Sequence, residues 1–70
     1  MKRFLVTGAT GFLGGHLVER LLAKEDVTVR ILCRGANRWT ATPRVEVVYG
    51  DILDVAVVER AAREVDGIFH

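Results

Sequence analysis

Three glycines at even spacing, Gly8, Gly11 and Gly14, stand between an apolar run, Phe4-Leu5-Val6, and a helical pattern, Leu13, Leu17 and Leu21. Strand, glycine-rich turn, helix is an arrangement that cradles phosphate. Gly8 lets the chain leave a strand through backbone angles that a β-carbon resists. The missing side chain of Gly11 admits a pyrophosphate close to the backbone. Gly14 lies on the helix face that must press against the strand. Unpaired N–H groups in the helix's first turn, reinforced by the helix dipole, then face the anion. The rival glycine loop of the nucleotide triphosphatases needs Gly-Lys followed by Ser or Thr. Here Gly14 is followed by Gly15-His16, so that reading fails. Arg34 is the second chemical residue. It follows directly after the second apolar stretch, and no carboxylate neighbours Cys33 in the chain. Some dinucleotide sites hold a ribose with an acidic residue at this place. A guanidinium there instead suits a 2′-phosphate through paired charge-assisted hydrogen bonds, with Arg38 further along the same loop. The plainer alternative for Arg34 is a solvated loop residue.

These groups need a scaffold. Arg3 to Thr7 reads as a parallel strand covered on both faces, because its apolar residues run without alternation. A helix is expected from about Phe12 to Lys24, burying Leu13, Leu17, Val18, Leu21 and Leu22 and exposing Glu19, Arg20 and Lys24. Val27 to Cys33 alternates as a second strand: Val27, Val29, Ile31 and Cys33 on one face, Thr28, Arg30 and Leu32 on the other. The charge at Arg30 implies that its face is only partly covered. Residues 34–44 carry no apolar periodicity and read as a loop, with Trp39 over the sheet's edge or, alternatively, stacked on an adenine. Val45 to Tyr49 is a third strand, with Val45, Val47 and Tyr49 on one side and Glu46 and Val48 on the other. Asp54 suits the N-cap of a second helix, roughly Val55 to Glu64, with Val55, Val58, Ala62 and Val65 inward and a Glu59–Arg63 pair outside. Ile68-Phe69-His70 begins a fourth strand.

Right-handed crossovers carry strand two to one side of strand one and strand three beyond it. The second helix returns the chain to the other side, giving a parallel α/β sheet of order 3-2-1-4 with helices on both faces. The order reverses between strands one and four, and ligands of open α/β sheets bind at such a point. The glycine turn lies there too.

Bulk properties narrow the remainder. At 70 residues the chain is a single small unit, and a net charge of +1 gives no footprint for nucleic acid or an anionic membrane. The longest apolar run, Val55 to Val58, is far too short to span a bilayer. Lys2-Arg3 before Phe4-Leu5-Val6 imitates the start of a signal peptide, but Thr7-Gly8 ends the apolar stretch too soon. A single cysteine, Cys33, excludes an intrachain disulfide and suits a reducing, cytoplasmic setting. His16, Cys33 and His70 have no metal-ligand spacing, and both histidines are read as local packing or supporting residues.

The run Thr7-Gly8-Ala9-Thr10-Gly11-Phe12-Leu13-Gly14 resembles the glycine fingerprint of the extended short-chain dehydrogenases/reductases, the NAD(P)-dependent epimerase/dehydratase family. Val29-Arg30-Ile31-Leu32-Cys33-Arg34, Gly50-Asp51-Ile52 and Ile68-Phe69-His70 match it in order. The resemblance implies a partial Rossmann-like, doubly wound sheet and a nicotinamide dinucleotide, which Arg34 makes NADP, with NAD also accommodated. Together with Arg34 it gives a cofactor-binding set of Gly8, Thr10, Gly11, Phe12, Leu13, Gly14, Arg34, Asp51 and Ile52. The backbone at Phe12 and Leu13 would meet the pyrophosphate, and Asp51 and Ile52 the adenine, although Asp51 after Gly50 also reads as a plain turn residue. The family's Tyr-x-x-x-Lys pair has no counterpart, since the only tyrosine, Tyr49, is followed four residues later by Leu53.

The expectation is therefore the first half of a dinucleotide-binding domain, spanning residues 1–70. It would be truncated before the catalytic and substrate-binding portions, inactive alone, and drawn from an epimerase, dehydratase or reductase acting on a nucleotide sugar or carbonyl compound. Self-association through the exposed fourth strand is expected. A non-catalytic NADP sensor and a short interaction module are the alternatives.

Overall fold

The computed structural model describes residues 1–9, 11–35, 39 and 41–70. Along the chain come β1 (Lys2–Thr7), α1 (Phe12–Leu22), β2 (Val27–Cys33), β3 (Val45–Tyr49), α2 (Val55–Ala61) and β4 (Gly67–Phe69). The four strands are parallel and ordered β3-β2-β1-β4, as the crossover argument requires. Asp66 locks the last pairing: its carboxylate accepts the Arg3 N–H at 2.8 Å and its own N–H donates to the Arg3 carbonyl at 2.7 Å.

Alternate residues of the strands feed two cores, one on each sheet face. On one face Val18 and Leu21 of α1 pack with Val6, Val27, Val29, Ile31 and Val45. On the other, Val57 and Ala61 of α2 pack with Leu5 and Leu32. The face assignments along β2 and β3 follow the alternation read from the sequence.

The face of Arg30 is partly open, as expected, at exposed Glu46, but the residue itself is only 8% exposed. The guanidinium donates from Nε to Glu46 Oε1 at 2.8 Å, and from Nη1 to the carbonyls of Ala61 at 2.7 Å and Arg63 at 2.8 Å. The last carbonyls of a helix lack intrahelical donors. α2 thus covers the side chain and supplies the acceptors that make a buried charge tolerable.

Both helices are shorter than their apolar patterns suggest. α1 stops at Leu22, where the Ala23 and Lys24 N–H groups bond back to Glu19 and Leu21 in a closing turn. Leu13, expected in the buried stripe, is 81% exposed, whereas Val18 and Leu21 are buried as expected and Gly15 joins them. Only Leu13 departs, because glycine rather than leucine meets the sheet in the first turn; Leu17 and Leu22 pack against the core as expected. α2 begins as foreseen, with Asp54 Oδ1 accepting the Ala56 and Val57 N–H groups. It ends at Ala61, and Glu64 takes a left-handed conformation (φ 59°) that turns the chain toward β4. Arg63 lies past the helix, so the Glu59–Arg63 pair has no helical spacing to form on. Val57 and Ala61 are buried and Val55 is exposed, while Val58, Ala62 and Val65 of the expected stripe pack half-buried against the same core.

Trp39 packs on the α1-side core and donates its Nε1–H to the Ala9 carbonyl at 3.3 Å, in keeping with the structural rather than the adenine-stacking reading. Among the described residues, no helix is long and apolar enough to cross a membrane.

Candidate functional site

β1 runs into Gly8, whose φ of +71° is a left-handed value that a side chain would strain. The turn closes when the Gly11 N–H donates to the Gly8 carbonyl at 3.1 Å. Gly11, with extended angles, is the N-cap of α1. A β-carbon on Gly14 would lie 2.2 Å from that same Gly8 oxygen, so the helix can sit on the turn only with glycine there. A β-carbon on Gly11 would meet it at 3.5 Å, an ordinary contact. Among the described residues, nothing crowds a side chain at position 11, so the turn is open there. Among the described residues, no side chain caps α1, and its first turn holds no acidic residue. The N–H groups of Phe12, Leu13 and Gly14 therefore face outward at the positive end of the helix dipole. The cradle fits a pyrophosphate. Thr10 of the expected set lies outside the described residues, as does Arg38.

The turn opens into a crevice across the C-terminal ends of the strands, at the place where strand order reverses. It has two adjoining compartments of about 480 Å³ each, a normal size for small-molecule sites. One is lined by Gly11, Phe12, Leu13, Gly14, Leu17 and Phe69. The other is lined by Leu32, Cys33, Arg34, Gly35, Gly50 and Ile52. Thr7, Gly8 and His70 border both. An elongated molecule with an anionic middle matches this form.

Of the expected residues, Gly8, Gly11, Phe12, Leu13, Gly14, Arg34 and Ile52 come together on this crevice, and Asp51 stands at its lip. Phe12 is solvent-exposed and meets His16 edge to face, with ring centroids 4.5 Å apart. His16 also lies 3.9 Å from Glu19, a local role as expected. Gly50 is fixed by its surroundings: its N–H donates to the Cys33 carbonyl at 2.9 Å, and a β-carbon there would lie 2.4 Å from Val57 Cγ1. That contact holds the turn after β3 tightly against α2. Asp51 follows, with Oδ1 accepting the Leu53 N–H at 2.9 Å and Oδ2 3.8 Å from Arg34 Nε. Chain order hid this carboxylate beside Arg34.

Thr7, Cys33, Gly35, Gly50 and His70 also line the crevice and were not in the expected set. Thr7 Oγ1 lies 2.7 Å from His70 Nδ1, joining the ends of β1 and β4. Their signal was positional: each ends a strand, or begins the turn after one, on the C-terminal edge of the sheet. Burial pushes the Cys33 thiol pKa up.

The sequence matches the NAD(P)H-binding family over residues 8–70. It is 43% identical over its whole length to a 3 beta-hydroxysteroid dehydrogenase/Delta 5-->4-isomerase of Mycobacterium tuberculosis, covering 19% of that protein. It is 33% identical to UDP-glucuronic acid decarboxylase 6 of Arabidopsis thaliana, over 97% of this chain and 20% of the relative. The chain thus spans about a fifth of the length of these curated relatives. A Rossmann-fold NAD(P)-binding family protein from Shigella flexneri superposes with a TM-score of 0.85, at 23% identity, over 97% of this chain and 36% of the other. Parallel order, glycine turn and family match agree: the chain belongs to the NAD(P)H-binding family, within the extended short-chain dehydrogenase/reductase type, and is a nicotinamide-dinucleotide-binding unit.

Proposed function

We propose that this chain binds NADP(H) in preference to NAD(H), as the cofactor portion of an epimerase, dehydratase or reductase acting on a nucleotide sugar or carbonyl compound. The observation that carries the reading is the Gly8–Gly14 contact, which draws the open N-terminus of α1 onto the strand end. The backbone N–H groups of Phe12, Leu13 and Gly14 hold the pyrophosphate. Gly8 and Gly11 let it approach, and Thr10 belongs to the same loop. Ile52 and Asp51 border the adenine, and Arg34 takes the 2′-phosphate through charge-assisted hydrogen bonds. The nicotinamide supplies hydride acceptance or donation when bound.

The residues of this chain bind and orient. General acid–base work on a substrate needs a proton donor at the substrate's oxygen, and a Tyr-x-x-x-Lys pair does not occur in the sequence. The purified 70-residue chain is therefore inactive by itself, and steady NADPH oxidation with a carbonyl or nucleotide-sugar substrate would count against this reading. The setting is cytoplasmic, consistent with a buried Cys33 that forms no disulfide. β4 pairs only with β1 among the described residues, and Ile68 and Phe69 are exposed, so self-association through that edge belongs to the proposal. Light scattering showing a folded monomer at high micromolar concentration would remove this part of it.

Calorimetry decides the cofactor. NADP should bind about ten- to a hundredfold more tightly than NAD, as expected for a charge-assisted phosphate contact. Arg34→Ala should reduce that preference and leave NAD binding nearly unchanged. Equal affinities in the unmutated chain, or a preference untouched by the substitution, would show that Arg34 is not the selector.

A further inference from the structure

Arg34 follows β2 and Asp51 follows β3, and the register Cys33↔Tyr49 at the strand ends brings the two turns together. The Asp51 carboxylate is not free to swing. Its Oδ1 is held by the Leu53 N–H at 2.9 Å, which turns Oδ2 toward Arg34 Nε at 3.8 Å. The guanidinium at the mouth of the crevice thus already has an anionic neighbour, built in by the fold.

We infer that Asp51 is a specificity-determining residue that restrains the NADP preference set by Arg34, an inference resting on the reading of Arg34 given above. A 2′-phosphate and the Asp51 carboxylate are both anions drawing on one guanidinium. NADP must share or displace Asp51, whereas NAD has no phosphate and leaves the pair as it stands. With Asp51 charged, the pair at this lip carries no net charge instead of the single positive charge of Arg34 alone. The phosphate gains less from the arginine than an unpaired arginine would give it. The Arg34 and Asp51 side chains are 80% and 42% exposed, so solvent screens the pair and the effect is modest.

The test compares NADP and NAD binding by calorimetry in the unmutated chain and in Asp51→Asn, Arg34→Ala and the double variant. Asparagine keeps an oxygen for the Leu53 N–H and removes only the charge. The ratio of the NAD to the NADP dissociation constant should rise about two- to fivefold in Asp51→Asn. The rise should shrink toward nothing in 1 M salt, where charges are screened within about 3 Å. It should also vanish in the Arg34→Ala background. Asp51→Ser, a second turn-forming replacement, should shift the ratio the same way. An unchanged or falling ratio in both Asp51 variants, or a rise that persists without Arg34, overturns the inference while the dinucleotide reading stands. Failure of the unmutated chain to bind either dinucleotide overturns both.

Discussion

The carbonyl oxygen of Gly8 occupies the space that a β-carbon on Gly14 would need, at 2.2 Å. Position 11, three residues earlier, has ordinary room at 3.5 Å. The fold therefore requires glycine at position 14, whereas position 11 has room for a side chain.

Gly14→Ala should destabilise the protein by about 1–3 kcal/mol, the usual range for forced overpacking. That is a large share of what a core this small supplies. Gly11→Ala should change the urea midpoint little and weaken dinucleotide binding about tenfold or more. Denaturation curves and calorimetry on the same two variants check this, and equal stability losses would remove the distinction.

Arg30→Met should lower stability by about 2–4 kcal/mol, because it leaves the Ala61 and Arg63 carbonyls without their donor. Glu46→Gln should cost less than about 1 kcal/mol, since Glu46 is exposed and water can replace it. Urea unfolding of both variants measures the difference. A small effect of Arg30→Met would mean that water reaches the end of α2.

Strand positions, sheet order and the crevice at the switch point could be read from the sequence, because alternation and crossover handedness constrain them strongly. What escaped was local contact. In α1 the face of Val18 and Leu21 was legible, but the apolar count extended it to Leu13 where the first turn meets the sheet through Gly15. Glycines carry no hydrophobic signal, so a close glycine contact is invisible to periodicity. In α2 the recess at Gly50 selects Val57 as the contact residue, and again a missing side chain set the contact. The burial of Arg30 was not legible because its acceptors come from Ala61 and Arg63, far along the chain. Asp51 was expected beside the adenine or as a turn residue, but its pairing with Arg34 depends on two strand ends meeting, which neighbours in sequence do not report.

Cys33 gives a prediction in pH. Burial raises the thiol's pKa above its ordinary value of 9.0. Above that value the unfolded chain loses the proton while the folded chain keeps it. Stability from this group is thus fully present below pH 9.0 and declines as pH rises through the folded pKa. Denaturation midpoints from pH 8 to 10.5 should fall more in the unmutated chain than in Cys33→Ala. Thiol reagents at about pH 8 should label Cys33 slowly until denaturant is added.

Asp54→Ala removes the side chain that accepts the Ala56 and Val57 N–H groups. The expected loss is about 1 kcal/mol. Asp54→Ser should recover most of it, as measured by thermal unfolding.

The parallel sheet also has a consequence in time. No strand pair is a local hairpin, and the Arg3–Asp66 bond that secures β4 to β1 spans 63 residues. At ribosomal speeds of about 5–20 residues per second, β1 would wait roughly 3–13 s after emerging before that partner is made. During the interval one edge of β1 lies open, and the Arg30 guanidinium lacks the α2 carbonyls that later enclose it. Assembly dominated by such distant pairings is slow, so the nascent chain is at its most vulnerable to mispairing before β4 emerges.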